Sequence, residues 1–264
     1  MPKPKILVLL NILGFLIVLT LNALANGLPL NGYTTGELSA LYPNLFVPAG
    51  FTFAIWGIIY LFLLGFVAYQ SPLLFSKRKP AIAASVKLIG LWFFISCLAN
   101  AGWIVAWHFR YPLLSLVLML VLLFSLIQIY RNLGMGHRPI ALREKWWVQA
   151  PFSLYLGWIS VATIANTTAV LVHSNFSGFG LPEAFFAAGL IIVAGLLGLY
   201  FLSKNFDFVY ALVIIWACFG IFYKQQYLLN NAYPVVVTSA AAVGLLLIYR
   251  IAKQFRNYQG IRAY

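Results

Sequence analysis

The sequence predicts an all-α fold, a polytopic bundle of about eight transmembrane helices. Three observations predict it. Hydrophobic residues make up 63% of the chain and charged ones 8%, against roughly 45–50% and about 25% in soluble domains. Apolar runs of the length a bilayer needs, about 20 residues for a core of about 30 Å, recur along the whole chain. Between them the 17 Lys and Arg residues gather in short clusters, opposed by only four Asp and Glu. On a soluble protein a net charge of +13 would point to nucleic acid. Here the clusters anchor loops to one side of a membrane and build no groove for a phosphate backbone, so the expected partner is the lipid bilayer and not nucleic acid.

The eight runs lie near residues 5–25, 51–74, 81–107, 112–130, 147–172, 182–202, 207–224 and 233–251. They lack the strict alternation of barrel strands, and unsatisfied backbone groups are costly in lipid, so each reads as a helix. With the N-terminus inside, the inner loops hold Lys3, Lys5, Lys77, Arg78, Lys79, Arg131, Arg138, Arg143, Lys145, Lys204, Arg250, Lys253, Arg256 and Arg262. Outside there are Arg110 and Lys224, while Lys87 lies inside the third run, where it can snorkel. This bias supports both termini on the cytoplasmic side, and an inner (plasma) membrane of bacterial type is the expected location. The first run, followed by Ala23-Leu24-Ala25, also has the outline of a cleavable signal. Its apolar stretch is long for that, and Asn11 and Asn22 fall on one helical face, so it is expected to be retained. Cys97 and Cys218 both sit in apolar runs and read as small packing residues.

Residues 26–50, rich in Gly and Pro but also in Tyr and Leu, read either as a structured loop packed onto the bundle or as an interfacial aromatic belt. Three of the helices carry stripes at helical spacing: Phe53, Trp56 and Tyr60; Asn100, Trp103 and Trp107; Tyr155, Trp158 and Ala162, with Asn166 one turn on. Asn in a membrane helix prefers a partner or a cavity to lipid, so Asn100 and Asn166 should face the interior and bring Trp103 and Trp158 with them. Each stripe alone is also ordinary helix packing. Together they outline an aromatic intramembrane pocket suited to a flat hydrophobic or lipid-like small molecule.

The residues that carry these stripes resemble the tryptophan-rich sensory protein and translocator protein (TspO/MBR) family. FVPAGFTFAIWGIIY is similar to the family's Phe-x-Pro-Pro-Gly turn and the helix after it, through Phe46, Pro48, Gly50, Phe51, Trp56 and Tyr60, with Ala49 in place of the second proline. NAGWIVAWHFRYPLLSL resembles its Asn-x-x-Trp run and basic corner, through Asn100, Trp103, Phe109, Arg110 and Pro112. LYLGWISVATIAN resembles its Pro-Tyr-x-x-Trp segment, through Tyr155, Trp158, Ala162, Thr163 and Asn166, with Leu154 replacing the proline. The resemblance implies a five-helix ligand-binding core over residues 1–172, capped by the first loop, that takes a porphyrin or other tetrapyrrole. Pro48, Gly50 and Phe51 would set the lid, and transport or sensing would follow from binding. Ala49 and Leu154 remove ring constraint, so pocket shape and ligand choice need not follow the family's.

Residues 173–264 lie beyond that pattern and form a three-helix transmembrane extension. Gly189, Gly195 and Gly198, with Ala187, Ala188 and Ala194, favour close contact with the core or with a second subunit in a homodimer. Trp216, Tyr223 and Tyr227 read as belt residues or as the lining of a second cavity. The acids Glu37, Glu144, Glu183 and Asp207 are dispersed, so no general acid-base site is expected and the chain is not read as an enzyme. His108, His137 and His173 show no paired spacing, which argues against metal or haem ligation, and no cofactor is called for. Nor is there a mid-membrane acid for an ion-coupled carrier or a retinal counter-ion. The remaining alternative is a structural or regulatory membrane protein that acts through a protein partner without a small ligand.

Overall fold

The computed structural model describes residues 3–28, 30–76, 82–138, 140–176 and 178–262, and among these every regular element is helical. Helix α1 (Pro4–Gly27) opens with a proline in its first turn, where the missing N–H is no loss. The loop after it contains the short α2 (Thr35–Ala40), then a 3-10 turn (Gly50–Ala54) that runs into α3 (Ile55–Gln70). Next come α4 (Ile82–Ile89), α5 (Trp92–His108) and α6 (Pro112–Asn132). The short α7 (Leu142–Glu144) passes through a π turn into α8 (Ala150–His173), and α9 (Glu183–Asn205), α10 (Phe208–Tyr223) and α11 (Pro234–Arg262) complete the chain.

Seven of these segments are long and apolar enough to cross a membrane, and α4 with α5 forms an eighth, bent by 54°. The sequence predicts that span as one unbroken run. It breaks because Gly90 adopts φ +59°, a left-handed conformation that ends α4 and that side chains rarely tolerate. Large apolar side chains such as Leu9, Leu13 and Leu16 on α1, or Leu113 and Leu120 on α6, point outward, as a lipid-facing surface requires. The chain is an integral membrane protein. The basic cluster Lys77, Arg78 and Lys79 lies outside the described residues.

Helix α5 packs between α1 and α6, α6 packs on α8, and α10 packs on α8, α9 and α11. A single hydrophobic core runs through both parts of the chain, from Leu7, Phe93 and Trp103 to Tyr210, Ile214 and Leu247. The two asparagines of α1 tie it into this bundle. Asn11 donates to Gln70 of α3 at 3.0 Å and Asn22 donates to Asn100 of α5 at 2.9 Å. Gly195 and Gly198 let α9 meet Val243 and Leu247 of α11, whereas Gly189 faces open space. Cys97 and Cys218 are buried free thiols.

Candidate ligand site in the aromatic core

The loop that overlies the core is built by local chemistry. Thr34 and Glu37 form a reciprocal cap on α2: the Glu37 amide donates to the Thr34 hydroxyl, and the Glu37 carboxylate accepts from the Thr34 amide at 2.7 Å. That backbone bond and a second from the Thr34 hydroxyl hold the Glu37 carboxyl below its ordinary pKa. Glu37, the one charge in this loop, is therefore engaged in capping. Leu38, Tyr42, Leu45 and Phe46 are buried, so of the two readings left open for this segment the loop packed onto the bundle is the one observed.

Beneath it the three stripes converge. Tyr60, Trp56, Trp103 and Trp107 form one continuous stack, with successive centroids 5.6, 6.0 and 6.1 Å apart and interplanar angles of 19°, 29° and 16°. Trp158 meets the edge of this stack at Trp56, 6.2 Å away and at 86°, and Phe53 meets Trp158 in the same way at 5.9 Å. Offset and edge-on pairs of this kind are the favoured aromatic arrangements, each worth roughly 0.5–1.5 kcal/mol beyond burial.

The asparagines anchor the stack, Asn100 from beneath it and Asn166 from the wall of the space beside it. Asn100 accepts from Asn22 and donates to the Tyr155 hydroxyl at 2.7 Å, joining α1, α5 and α8. Asn166 accepts from the Trp103 indole at 2.9 Å and exchanges hydrogen bonds with Ser115, joining α8, α5 and α6. Two other polar groups are left over: the Trp158 indole N–H and the Thr35 hydroxyl are buried without a hydrogen-bond partner. Both residues line a cavity of about 40 Å³, enclosed also by Pro48, Phe53, Trp56, Trp103, Trp107, Ala162 and Asn166. A groove of about 410 Å³ lies beside it, lined by Asn22, Gly50, Gly57 and Tyr60 and sharing Thr35, Phe53 and Trp56 with the cavity. Trp56 and Phe53 thus border both spaces.

Of the residues singled out from sequence, Pro48, Trp56, Trp103, Trp107, Trp158, Ala162 and Asn166 meet around the cavity, and Gly50 and Tyr60 line the groove. Asn100 and Tyr155 lie underneath as supports. Phe51 points elsewhere, onto Trp216, Phe219 and Tyr223 of α10 at centroid distances of 5.3 to 5.9 Å. Trp216 and Tyr223 thus hold Phe51 in place. Thr35 and Ser39 on α2 line the cavity without having been singled out, although Thr34-x-x-Glu37 is a legible helix start that places them one turn apart.

The loop is fastened by α10 and the turn that follows it. Ala49 N–H donates to the Gly220 carbonyl at 3.1 Å, Trp216 donates to the Thr52 carbonyl at 2.9 Å, Lys224 to that of Val47 at 3.0 Å and Gln225 to that of Leu45 at 3.0 Å. Sequence reading missed this, because Lys224 and Gln225 look like the ordinary end of a span.

Among the described residues no three His, Cys, Asp or Glu side chains gather as a metal site. Glu144 accepts from Ser85, Asp207 caps α10, and His173 packs edge-on against Tyr42. Fold and core together define a polytopic helical membrane protein built around an intramembrane tryptophan stack under a folded loop. The chain belongs to the family described as TSPO-like protein, which matches over residues 8–252 and so takes in α9, α10 and most of α11 as well as the five-helix part. Neither the comparison with curated proteins nor that with solved structures gives a match.

Proposed function

We propose that this TSPO-like membrane protein binds a planar hydrophobic molecule, of the tetrapyrrole class, between the rings of Trp56, Trp103, Trp107 and Trp158, and that residues 1–172 form the binding core. One observation carries the reading. The unpartnered Trp158 N–H and Thr35 hydroxyl face the same cavity as the tryptophan stack, which is the combination of stacking surface and a few polar fixtures that orients a flat ligand. At about 40 Å³ the cavity is too small to hold such a molecule. Small-molecule sites measure roughly 300–1,000 Å³, and the adjoining groove of about 410 Å³ supplies that room once Trp56 turns aside. A ligand ring then replaces the Trp56–Trp103 contact with one of the same kind. No enzymatic step enters this reading, and binding could serve sensing or transport from a bacterial-type inner membrane with both termini cytoplasmic.

A second reading is favoured by the small size of the cavity: the rings fill each other's space, and the stack is a packing element of a protein that works through a partner or as a homodimer. The two readings separate in a tryptophan-fluorescence titration of the detergent-solubilised protein with protoporphyrin. Binding predicts saturable quenching at about one ligand per chain, weakened in a folded Trp103→Ala, Trp158→Ala double variant. Quenching that is linear, or equal in the variant, leaves the packing reading.

A further inference from the structure

Outside the aromatic core, the largest cavity described lies between α6, α8 and α9, where α9 leans on α10 and α11 and leaves a cleft of about 620 Å³ beside α6. Its walls are apolar, formed by Leu123 and Ile127 of α6, Leu156 and Ile164 of α8, and Val193 and Leu197 of α9. Its chemistry changes at one end. Arg131, in the last turn of α6, and His137 line that end, which is the end of the bundle where α1 begins and α11 finishes.

No acid neutralises Arg131, and among the described residues it makes no ion pair. The nearby carboxylate is Asp207, and it is engaged elsewhere. It accepts from Tyr130 at 2.9 Å, from Ser153 at 2.5 Å and from the Tyr210 amide at 3.0 Å. The floor of the cleft carries a further polar group. Tyr210 lines it, and its hydroxyl, beside Ser160, is buried with no hydrogen-bond partner. Ser160, which also lines the cleft, spends its own proton on the Leu156 carbonyl at 2.8 Å, so two hydroxyls mark the floor between the apolar walls.

We propose that this cleft is a binding site for an anionic phospholipid: its phosphate sits on Arg131, an ester carbonyl accepts from Tyr210, and one acyl chain lies along α8 between Ile127 and Leu197. The guanidinium fork matches phosphate geometry in a way a zwitterionic headgroup, carrying its own cation, does not exploit as well. Basic pockets between transmembrane helices recognise anionic headgroups on the same grounds. The site is formed partly by α9 and is independent of the tryptophan stack, so it stands or falls apart from the ligand reading above.

The test uses the full chain in phosphatidylcholine nanodiscs doped with phosphatidylglycerol carrying a photoactivatable diazirine on one acyl chain. Irradiation followed by peptide mapping should concentrate adducts on residues 156–164 and 193–201, with saturation as the probe is increased. Arg131→Gln, at an exposed position, should lower the yield several-fold, as should moving the diazirine to phosphatidylcholine. Leu197→Trp, which fills the cleft, should abolish these adducts, and Tyr210→Phe should reduce them. Adducts spread over all lipid-facing helices, equal yields from the two headgroups, or indifference to Arg131→Gln would each overturn the proposal. So would displacement of the probe by free palmitate at equal concentration.

Discussion

The amide of Ala49 in the loop and the carbonyl of Gly220 in α10 are joined by a 3.1 Å hydrogen bond. In the resembling family motif this loop position is a proline, which has no N–H to give. Here the alanine at φ −59° keeps a proline-like backbone and gains a donor, and the extension supplies its acceptor. Departure from the motif and presence of α10 are two halves of one contact.

Ala49→Pro should therefore loosen the loop, although its backbone angle already suits a proline. The substitution removes the bond to Gly220 and pushes ring atoms toward that carbonyl, a change expected to cost more than about 1 kcal/mol. Hydrogen exchange should quicken over residues 45–52 and at the end of α10. Unchanged exchange in both segments would show that the contact does not hold the loop.

Gly220→Ala tests the other half. A Cβ at Gly220 would run into the Thr52 hydroxyl and come within 2.9 Å of the Pro48 ring. Overpacking of this kind costs typically about 1–3 kcal/mol, and the loop should undock while α10 stays helical. Circular dichroism that reports loss of helix instead would mean that Gly220 serves the helix and not the loop.

Lys224→Met keeps the aliphatic stem and removes only the donor to Val47. A hydrogen bond from a charged group contributes about 1.5–3 kcal/mol, discounted here because Lys224 is only partly buried. Proteolysis of the loop in detergent should accelerate, and the double variant with Ala49→Pro should fall short of additivity because both act on one docked segment. Strict additivity would assign the two contacts to separate elements.

Asn100→Leu removes the acceptor for Asn22 and the donor to Tyr155 in a single change. Membrane-protein hydrogen bonds contribute about 0.6 kcal/mol on average and up to about 1.7, so a loss of roughly 1–3 kcal/mol is expected for the pair. The readout is the midpoint of unfolding in a denaturing detergent. A loss equal to that of Asn22→Leu alone would reduce Asn100 to one useful contact.

The loop helix should also respond to acid. Glu37 has its folded-state pKa below the unfolded value, so its contribution is complete above the ordinary carboxylate pKa and fades as pH falls through the lowered one. Nuclear magnetic resonance shifts of the Thr34 and Glu37 amides should move together in that acidic window, and Glu37→Gln should abolish the titration. A midpoint above the ordinary carboxylate value would reverse the assignment.

Much of the architecture was legible because lipid imposes one rule on every span: apolar outside and hydrogen-bonded within. The eight runs predicted from hydropathy match the observed spans closely, and the facing positions of Asn11 and Asn22 followed from spacing alone. The bend at Gly90 was not legible, since a glycine in an apolar run is equally at home in a straight helix. Convergence of the three stripes was readable from Asn100 and Asn166. The direction of Phe51 was not, because its partners Trp216, Phe219 and Tyr223 are more than 160 residues away. The small size of the cavity depends on ring orientation, which spacing does not encode.

The long separation between the loop and its fastenings sets an order in time. Val47 and Lys224 are 177 residues apart, and Leu45 and Gln225 are 180. At synthesis rates of about 5–20 residues per second, roughly 9–36 s pass between the emergence of the loop and that of the residues that fasten it. The nascent chain therefore carries residues 45–52 without their fastenings until nearly the whole polypeptide has been made, while Asn31 and Thr35 already have their partners His108 and Trp107 in α5, and a ribosome stalled before α10 would display a loop held at one end only.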